Sequence, residues 1–265
     1  MKRITILCVT LLAITACDSH PITRDCFRGG TKDAKEAAKL DKAIRKAMIK
    51  KMISAPCGID VSHHQGFIEW PRVRNDRPDI QFVYVKLTEG ASHVDSRGTK
   101  NFYVAASVDI PVGGYHYFRM TSGAWEQFEH FKKILDYCIR GQSYVLIPMV
   151  DVETADGHPV QEVQDSLLVM LNLLEEAYGK KPMIYGTMRS YNTLLAPDFN
   201  DYPLYIGRFG IDEPTVIDGD YTIWQFSERG HIDGIPKSVD LCRFHQGENI
   251  SDITLWHKTG GLSRQ

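Results

Sequence analysis

Beyond the first seventeen positions the chain has no apolar run of the ~20 residues that a membrane-crossing helix requires. Cysteine is scarce: there are six in 265 residues, and none has the Cys-x-x-Cys spacing of a zinc or dithiol redox centre. His63, His64, His93, His116 and His130 form no usual ligand spacing, so no metal is expected and a metal-dependent hydrolase fits poorly. No cofactor motif, internal repeat or low-complexity linker follows residue 55. An excess of positive charge is also missing where it would count. The net charge is −2, but residues 1–54 carry 12 Lys/Arg against 5 Asp/Glu, which leaves 19 against 28 for residues 55–265. An acidic main domain argues against nucleic acid as a partner. With 43% hydrophobic, 24% charged and 10% aromatic residues the chain is an ordinary globular protein rather than a disordered or fibrous one.

What is present begins with an export signal. Met1-Lys2-Arg3 is a positive n-region and Ile4 to Ala13 an apolar h-region, too short to span a bilayer. Ile14-Thr15-Ala16-Cys17 then runs small residues into a cysteine, which resembles the lipobox of bacterial lipoproteins. Residues 1–17 are therefore expected to be a signal peptide, with Cys17 lipidated. The protein would then be a membrane-anchored lipoprotein of the cell envelope, periplasmic or surface. Cys26, Cys57, Cys138 and Cys242 remain, and outside the cytoplasm they could pair or stay as buried thiols. Residues 18–54 read as a basic spacer. Within them Lys32 to Lys51 is alanine-rich, with apolar Ala37, Leu40, Ile44, Ala47 and Met48 at helical spacing. A solvated spacer helix is the default reading of that segment; contact with anionic lipid or wall polymer is the alternative.

From residue 55 to 258 strand-like and helical patterns alternate, and 259–265 form a tail. Strands are expected at Gly58–Ser62, Phe82–Leu87, Pro111–Phe118, Tyr144–Val152, Met183–Thr187, Leu204–Arg208, Tyr221–Ser227 and Val239–Phe244. Helices are expected at Thr99–Val108, Ala124–Ile139 and Val160–Ala177, the last with Val163, Leu167, Met170, Leu171 and Leu174 at i, i+3, i+4 spacing. Alternation of this kind implies an α/β fold with a largely parallel sheet, and eight strands suggest closure into a barrel. The last three strands leave little room for long helices, so the barrel should be irregular and form a single catalytic domain.

In a barrel of parallel strands the chemistry gathers at the C-terminal strand ends. Four acids lie at predicted ends: Asp60, Asp151, Glu153 and Asp240. Asp151 and Glu153 are two apart, so in a strand they share a face, ~7 Å from each other. Paired carboxyls after an apolar run resist ionisation, which raises at least one pKa and lets one act as a proton donor near neutral pH. A pair used this way is the machinery of glycoside hydrolysis. Any one such acid would be more readily explained as a helix cap or solvated loop residue; all four together are not. Aromatic and amide groups at strand ends (Tyr115, Tyr117, Tyr185, Trp224, Gln225) suit a sugar ligand, with flat rings against pyranose C–H faces.

The ordered motifs Gly58-Ile59-Asp60-Val61-Ser62-His63-His64-Gln65-Gly66, Phe82 to Gly90, Gly114 to Phe118, Asp151-Val152-Glu153, Ile223-Trp224-Gln225-Phe226 and Val239-Asp240-Leu241 resemble glycoside hydrolase family 25. These are the N-acetylmuramidase lysozymes of the Chalaropsis type. The resemblance runs from Cys57 to about Trp256. It implies a TIM-like (β/α)5(β)3 barrel that acts on peptidoglycan, cutting the β-1,4 bond between N-acetylmuramic acid and N-acetylglucosamine. It further implies Glu153 as general acid/base, Asp151 as its assistant at the reacting sugar, and Asp60 and Asp240 shaping the field. Tyr115, Lys86, Glu89, Tyr185 and Trp224 would lie in or near the cleft. Arg208 and the segment Ser227 to Pro236 depart from the family pattern and bear on subsite preference.

Two other readings compete. A chitinase-like enzyme would share substrate-assisted chemistry, but its usual Asp-x-x-Asp-x-Asp-x-Glu run is absent. An inactive wall-binding lipoprotein would be expected to lack the acid, whereas Glu153 and its three companions are all present. A monomer is expected. Cys57 and Cys242 flank Asp60 and Asp240, so an antiparallel last strand could bring their sulfurs within bonding reach, with Cα atoms at most ~7 Å apart. Net retention is expected, with the substrate's own N-acetyl oxygen, oriented by Asp151, attacking the anomeric carbon; a carboxylate from Asp60 or Asp240 is the alternative nucleophile.

Overall fold

The structure, a computed structural model, describes residues 31–53 and 57–257. The proposed signal peptide, Cys17, Cys26 and the tail at 259–265 lie outside the described residues. Thr31–Ile53 forms helix α1, and its side chains from Lys35 to Met48 are exposed.

The rest of the described chain is a closed barrel. Strands β1 (Gly58–Val61), β2 (Phe82–Glu89), β4 (Val112–Tyr117), β6 (Met149–Asp151), β7 (Met183–Thr187), β8 (Leu204–Gly207), β9 (Ile223–Gly230) and β10 (Val239–Phe244) are its eight staves. Neighbours from β1 to β9 pair in parallel. β10 is antiparallel to both β9 and β1 and closes the ring. Outside the wall, β3 (His93–Val94) makes a short hairpin with β2. β5 (Tyr144–Leu146) pairs with the foot of β4 and with β11 (Thr254–His257).

Helices α2 (Trp70–Asp76), α3 (Gly98–Ser107), α4 (Ala124–Ile139) and α5 (Val160–Tyr178) cover the first four crossovers, and a short helical segment from Met188 to Leu195 covers the fifth. The amphipathic patterns explain the packing. α4 buries Phe128, Phe131, Leu135 and Cys138, and α5 buries Val163, Leu167, Met170, Leu171 and Leu174, each set one stripe at i, i+3, i+4 spacing. Gly179, in the left-handed region, ends α5 by returning its N–H to Glu175. Small residues admit large ones in the barrel interior: a Cβ on Gly58 would meet the Phe82 ring, and one on Gly113 the Tyr84 ring.

The (β/α)5(β)3 architecture is as expected, with local differences. The strand expected over Tyr144–Val152 is two strands, because Pro148 has no N–H to give to a ladder and the chain changes partners there. Helix α2 was not anticipated: it is only seven residues, too short to show a period. β9 runs on to Gly230, three residues past the expected end at Ser227.

The disulfide expectation is corrected. β10 does run antiparallel to β1, but Cys242 stands opposite Gly58, one position out of step with Cys57. Alternation therefore sends the two sulfurs to opposite faces of the sheet. Cys57, Cys138 and Cys242 are free thiols; Cys57 Sγ accepts the Phe244 N–H at 3.0 Å, and burial pushes its thiol up to about 11.

Candidate active site

At the C-terminal ends of the staves a cleft opens as two lobes, about 230 and 210 Å³, that share Asp60, Tyr115, Asp151, Glu153 and Asp240. The four acids picked out by strand-end position therefore stand together. Met149, Tyr185, Phe209, Gln225 and Glu228 line the first lobe alone. Val61, Ser62, His64, Gln65, Lys86 and Tyr117 line the second alone.

Asp151 closes β6 and is buried, while Glu153 emerges two residues later at the exposed edge of the cleft. The chain stays extended between them, since the Val152 N–H reaches the Tyr185 carbonyl at 2.9 Å, and both side chains reach the same cleft. Loss of water around Asp151 raises its carboxyl well above the usual range; Glu153, Asp60 and Glu89 add to the rise and Lys86 opposes it. Its Oδ1 is buried without a hydrogen-bond partner. Glu153 is also raised, first by desolvation and then by the charge on Asp60. The Tyr117 hydroxyl, which donates to Glu153 at 3.4 Å, and Lys86 work against that rise.

Asp60 and Asp240 face each other across β1 and β10. Asp60 Oδ2 accepts from Tyr205 Oη at 2.6 Å and Gln225 Nε2 at 2.9 Å, and Asp240 donates to the same carboxyl. Burial raises Asp60, but these three donors favour its ionised form. Asp240 is pushed up to about 9 by burial and by the charge on Asp60, with Glu228 and Glu153 adding to it. The two carboxyls thus share one proton at neutral pH, and Asp240 carries it. Tyr185 Oη holds Gln225 Oε1 at 2.8 Å, which orients the amide so that its N–H faces Asp60. A floor of fixed donors beneath one anion, with a raised carboxyl at the rim, is equipped to protonate a leaving oxygen and to steady positive charge on a sugar ring.

Comparison with known proteins agrees with this geometry. The family profile described as "Glycosyl hydrolases family 25" matches residues 59–235. The chain belongs to glycosyl hydrolase family 25. It is 34% identical over 194 residues to the uncharacterized protein YegX of Escherichia coli O157:H7, covering 72% of this chain and 70% of that one. It is 30% identical to the autolytic lysozyme of Clostridium acetobutylicum, over 72% of this chain and 56% of the relative. Among solved structures, a family 25 glycosyl hydrolase from Bacillus anthracis superposes with TM-score 0.62 at 31% identity, covering 71% of this chain and 88% of the other. A bacterial lysozyme from Streptomyces coelicolor superposes with TM-score 0.64 at 25% identity, covering 74% and 94%.

Within this family-25 barrel most sequence-selected residues meet at the cleft, with exceptions. Glu89 is not among the residues lining either lobe. It bonds Lys86 Nζ at 2.7 Å and Arg119 at 3.1 Å, and Arg119 in turn holds Asp156 at 2.9 Å, so Glu89 sets the position of Lys86. Trp224 is corrected: strand alternation puts Gln225 on the cleft side and Trp224 on the other. Its indole N–H donates to the Arg208 carbonyl at 2.6 Å and its ring packs beside Phe226. His116, between the two cleft tyrosines, faces the helices; burial lowers it to about 4, and Thr88 and Gln127 hold its ring.

Phe209 and Glu228 were missed. Phe209 lies one residue beyond the expected strand end at Arg208. Glu228 is three residues from Gln225, which strict alternation assigns to the opposite face. A register shift places Gln225 opposite Cys242 but Ser227 opposite Leu241, so the extra residue turns Glu228 back toward the cleft.

Proposed function

We propose that this enzyme is a muramidase that hydrolyses the β-1,4 bond between N-acetylmuramic acid and N-acetylglucosamine in peptidoglycan. The observation that carries the reading is the unpartnered, buried Oδ1 of Asp151 next to a raised, accessible Glu153. An acetamido N–H of a bound sugar supplies the partner that Asp151 lacks. Glu153 passes its proton to the glycosidic oxygen as that bond breaks, while the acetamido oxygen, aligned by Asp151, attacks the anomeric carbon. The resulting oxazolinium ring opens when Glu153, now a carboxylate, takes a proton from the incoming water. Net retention follows. Asp151 and Glu153 project from one strand end, so neither stands across the sugar from the other, whereas the substrate's own group is already tethered beside the reacting carbon. The ionised Asp60, held by Tyr205 and Gln225, supports the positive charge that develops on the ring.

Digestion of purified sacculi followed by mass spectrometry of the muropeptides tests the bond assignment. Fragments ending in reducing N-acetylmuramic acid support it, and reducing N-acetylglucosamine overturns it. Glu153→Gln should lower the rate by roughly 10²–10⁴-fold with the fold intact. Normal turnover by the folded variant would remove Glu153 from the acid role. A thiazoline analogue should inhibit strongly, and a trapped glycosyl ester on Asp60 or Asp240 would establish the covalent route instead.

The same reading places the enzyme as a monomer on a lipid anchor at Cys17, outside the cytoplasm. Its support is the short apolar run after Met1-Lys2-Arg3 that ends in Ile14-Thr15-Ala16-Cys17.

A further inference from the structure

Helix α1 carries two unlike faces. Lys35, Lys39, Lys42, Lys46 and Lys50 are spaced by four, three, four and four residues, so they form one ridge along the helix, and all five are exposed. The ridge is about 22 Å long at 1.5 Å per residue. Its neighbours Glu36 and Asp41 fall outside that arc, and Asp41 is engaged by Arg45 at 3.1 Å. Among the described residues none of the five lysines has a carboxylate partner. Leu40, Ile44 and Met48 make a narrow exposed stripe on the other side.

We propose that this lysine ridge is a docking surface for an anionic phospholipid bilayer. Charge decides the orientation. The apolar stripe is a single row of three residues, bordered by Glu36 and Asp41, which oppose burial against negative headgroups. The lysine arc holds no acid and presents five cations to one plane, the arrangement that draws a helix to a negative surface. Position supports the same occupant. Thr31 lies fourteen residues after Cys17, so an acyl group there would keep the start of α1 within about 50 Å of the bilayer. Near an anionic surface each lysine adds about 1 kcal/mol of attraction, so the ridge would hold α1 against the same bilayer. The ridge does not depend on the muramidase reading, and it uses the Cys17 reading only for proximity.

The test uses the full-length chain carrying Cys17→Ser, so that no acyl group contributes, beside the same chain with Lys39→Gln, Lys42→Gln and Lys46→Gln. Glutamine keeps nearly the helix propensity of lysine, and none of the three residues belongs to the barrel, so peptidoglycan cleavage should match in the two proteins. Sedimentation with phosphatidylglycerol-containing vesicles should weaken on the order of a hundredfold in the triple variant. Binding of the parent should also fall in high salt and be weaker to pure phosphatidylcholine. Equal binding of parent and variant to the anionic vesicles overturns the proposal. So does a parent that binds isolated wall polymer through these lysines while ignoring the vesicles, since the occupant is then the wall.

Discussion

Replacing Asp240 with Asn removes the proton that the Asp60–Asp240 pair shares, and the effect should appear as a change in how stability depends on pH. In the folded protein Asp240 holds its proton up to about 9, whereas in the unfolded chain an Asp ionises near ~3.9. Between those values the folded state binds more protons than the unfolded one, so stability falls as pH rises, by at most ~1.4 kcal/mol per pH unit for this group. Below the unfolded value the contribution is constant, and above about 9 both states are ionised and the slope ends. From pH 5 to pH 8 the ceiling is therefore ~4 kcal/mol. Asn keeps an N–H to offer Asp60, so the hydrogen bond survives without the titration. Urea unfolding of both proteins at pH 5 and pH 8 provides the measurement. Asp151 and Glu153 contribute slopes of the same sign to both proteins, and the difference isolates Asp240. The wild type should lose more stability than Asp240→Asn over this interval. Parallel losses would show that Asp240 is already ionised at pH 5 and that no proton is shared.

Phe209, half-exposed at 51% on the wall of the first lobe, offers its ring to a sugar face. Phe209→Ala should raise KM for soluble glycan fragments roughly threefold to tenfold at nearly constant kcat, and an unchanged KM would take the ring out of the subsite. Gly58→Ala would drive a methyl group into the Phe82 ring; a loss of roughly 1–3 kcal/mol is expected in urea unfolding, and an unaltered midpoint would mean the interior yields freely. Cys17→Ser should leave the signal uncleaved at that site, or leave the protein on the membrane only through contacts that high salt removes. Membrane fractionation as before, with no acyl mass on the native N-terminus, would refute lipidation.

The barrel was legible because its repeating unit is local. Each crossover carries its own strand run and amphipathic helix, and the stripe on α4 or α5 can be read without knowing the neighbours. The acids were legible for a related reason: Asp60, Asp151 and Asp240 lie within short apolar runs, and Glu153 two residues beyond one. What escaped depends on pairing. Pro148 divides one apparent strand because two different partners claim its halves. Glu228 reaches the cleft only through a bulge that β9 makes against β10. Trp224 looked like a ligand platform beside Gln225, but neighbouring strand residues cannot share a face. The offset between Cys57 and Cys242 is likewise a fact of register, which no spacing in a single chain discloses.

The antiparallel closure by β10 also sets a timetable. Cys57 bonds to a residue 185 positions later in the chain, and the stave that completes the ring supplies Asp240, the last of the four acids. β1 can pair with β2 early, but its other edge has nothing to lay against until almost all of the chain has emerged, and contacts so distant in sequence are slow to form. Until then β1 and β9 are bare edges and Asp60 lacks the partner that shares its proton. The four acids therefore come together only when the final stave is in place.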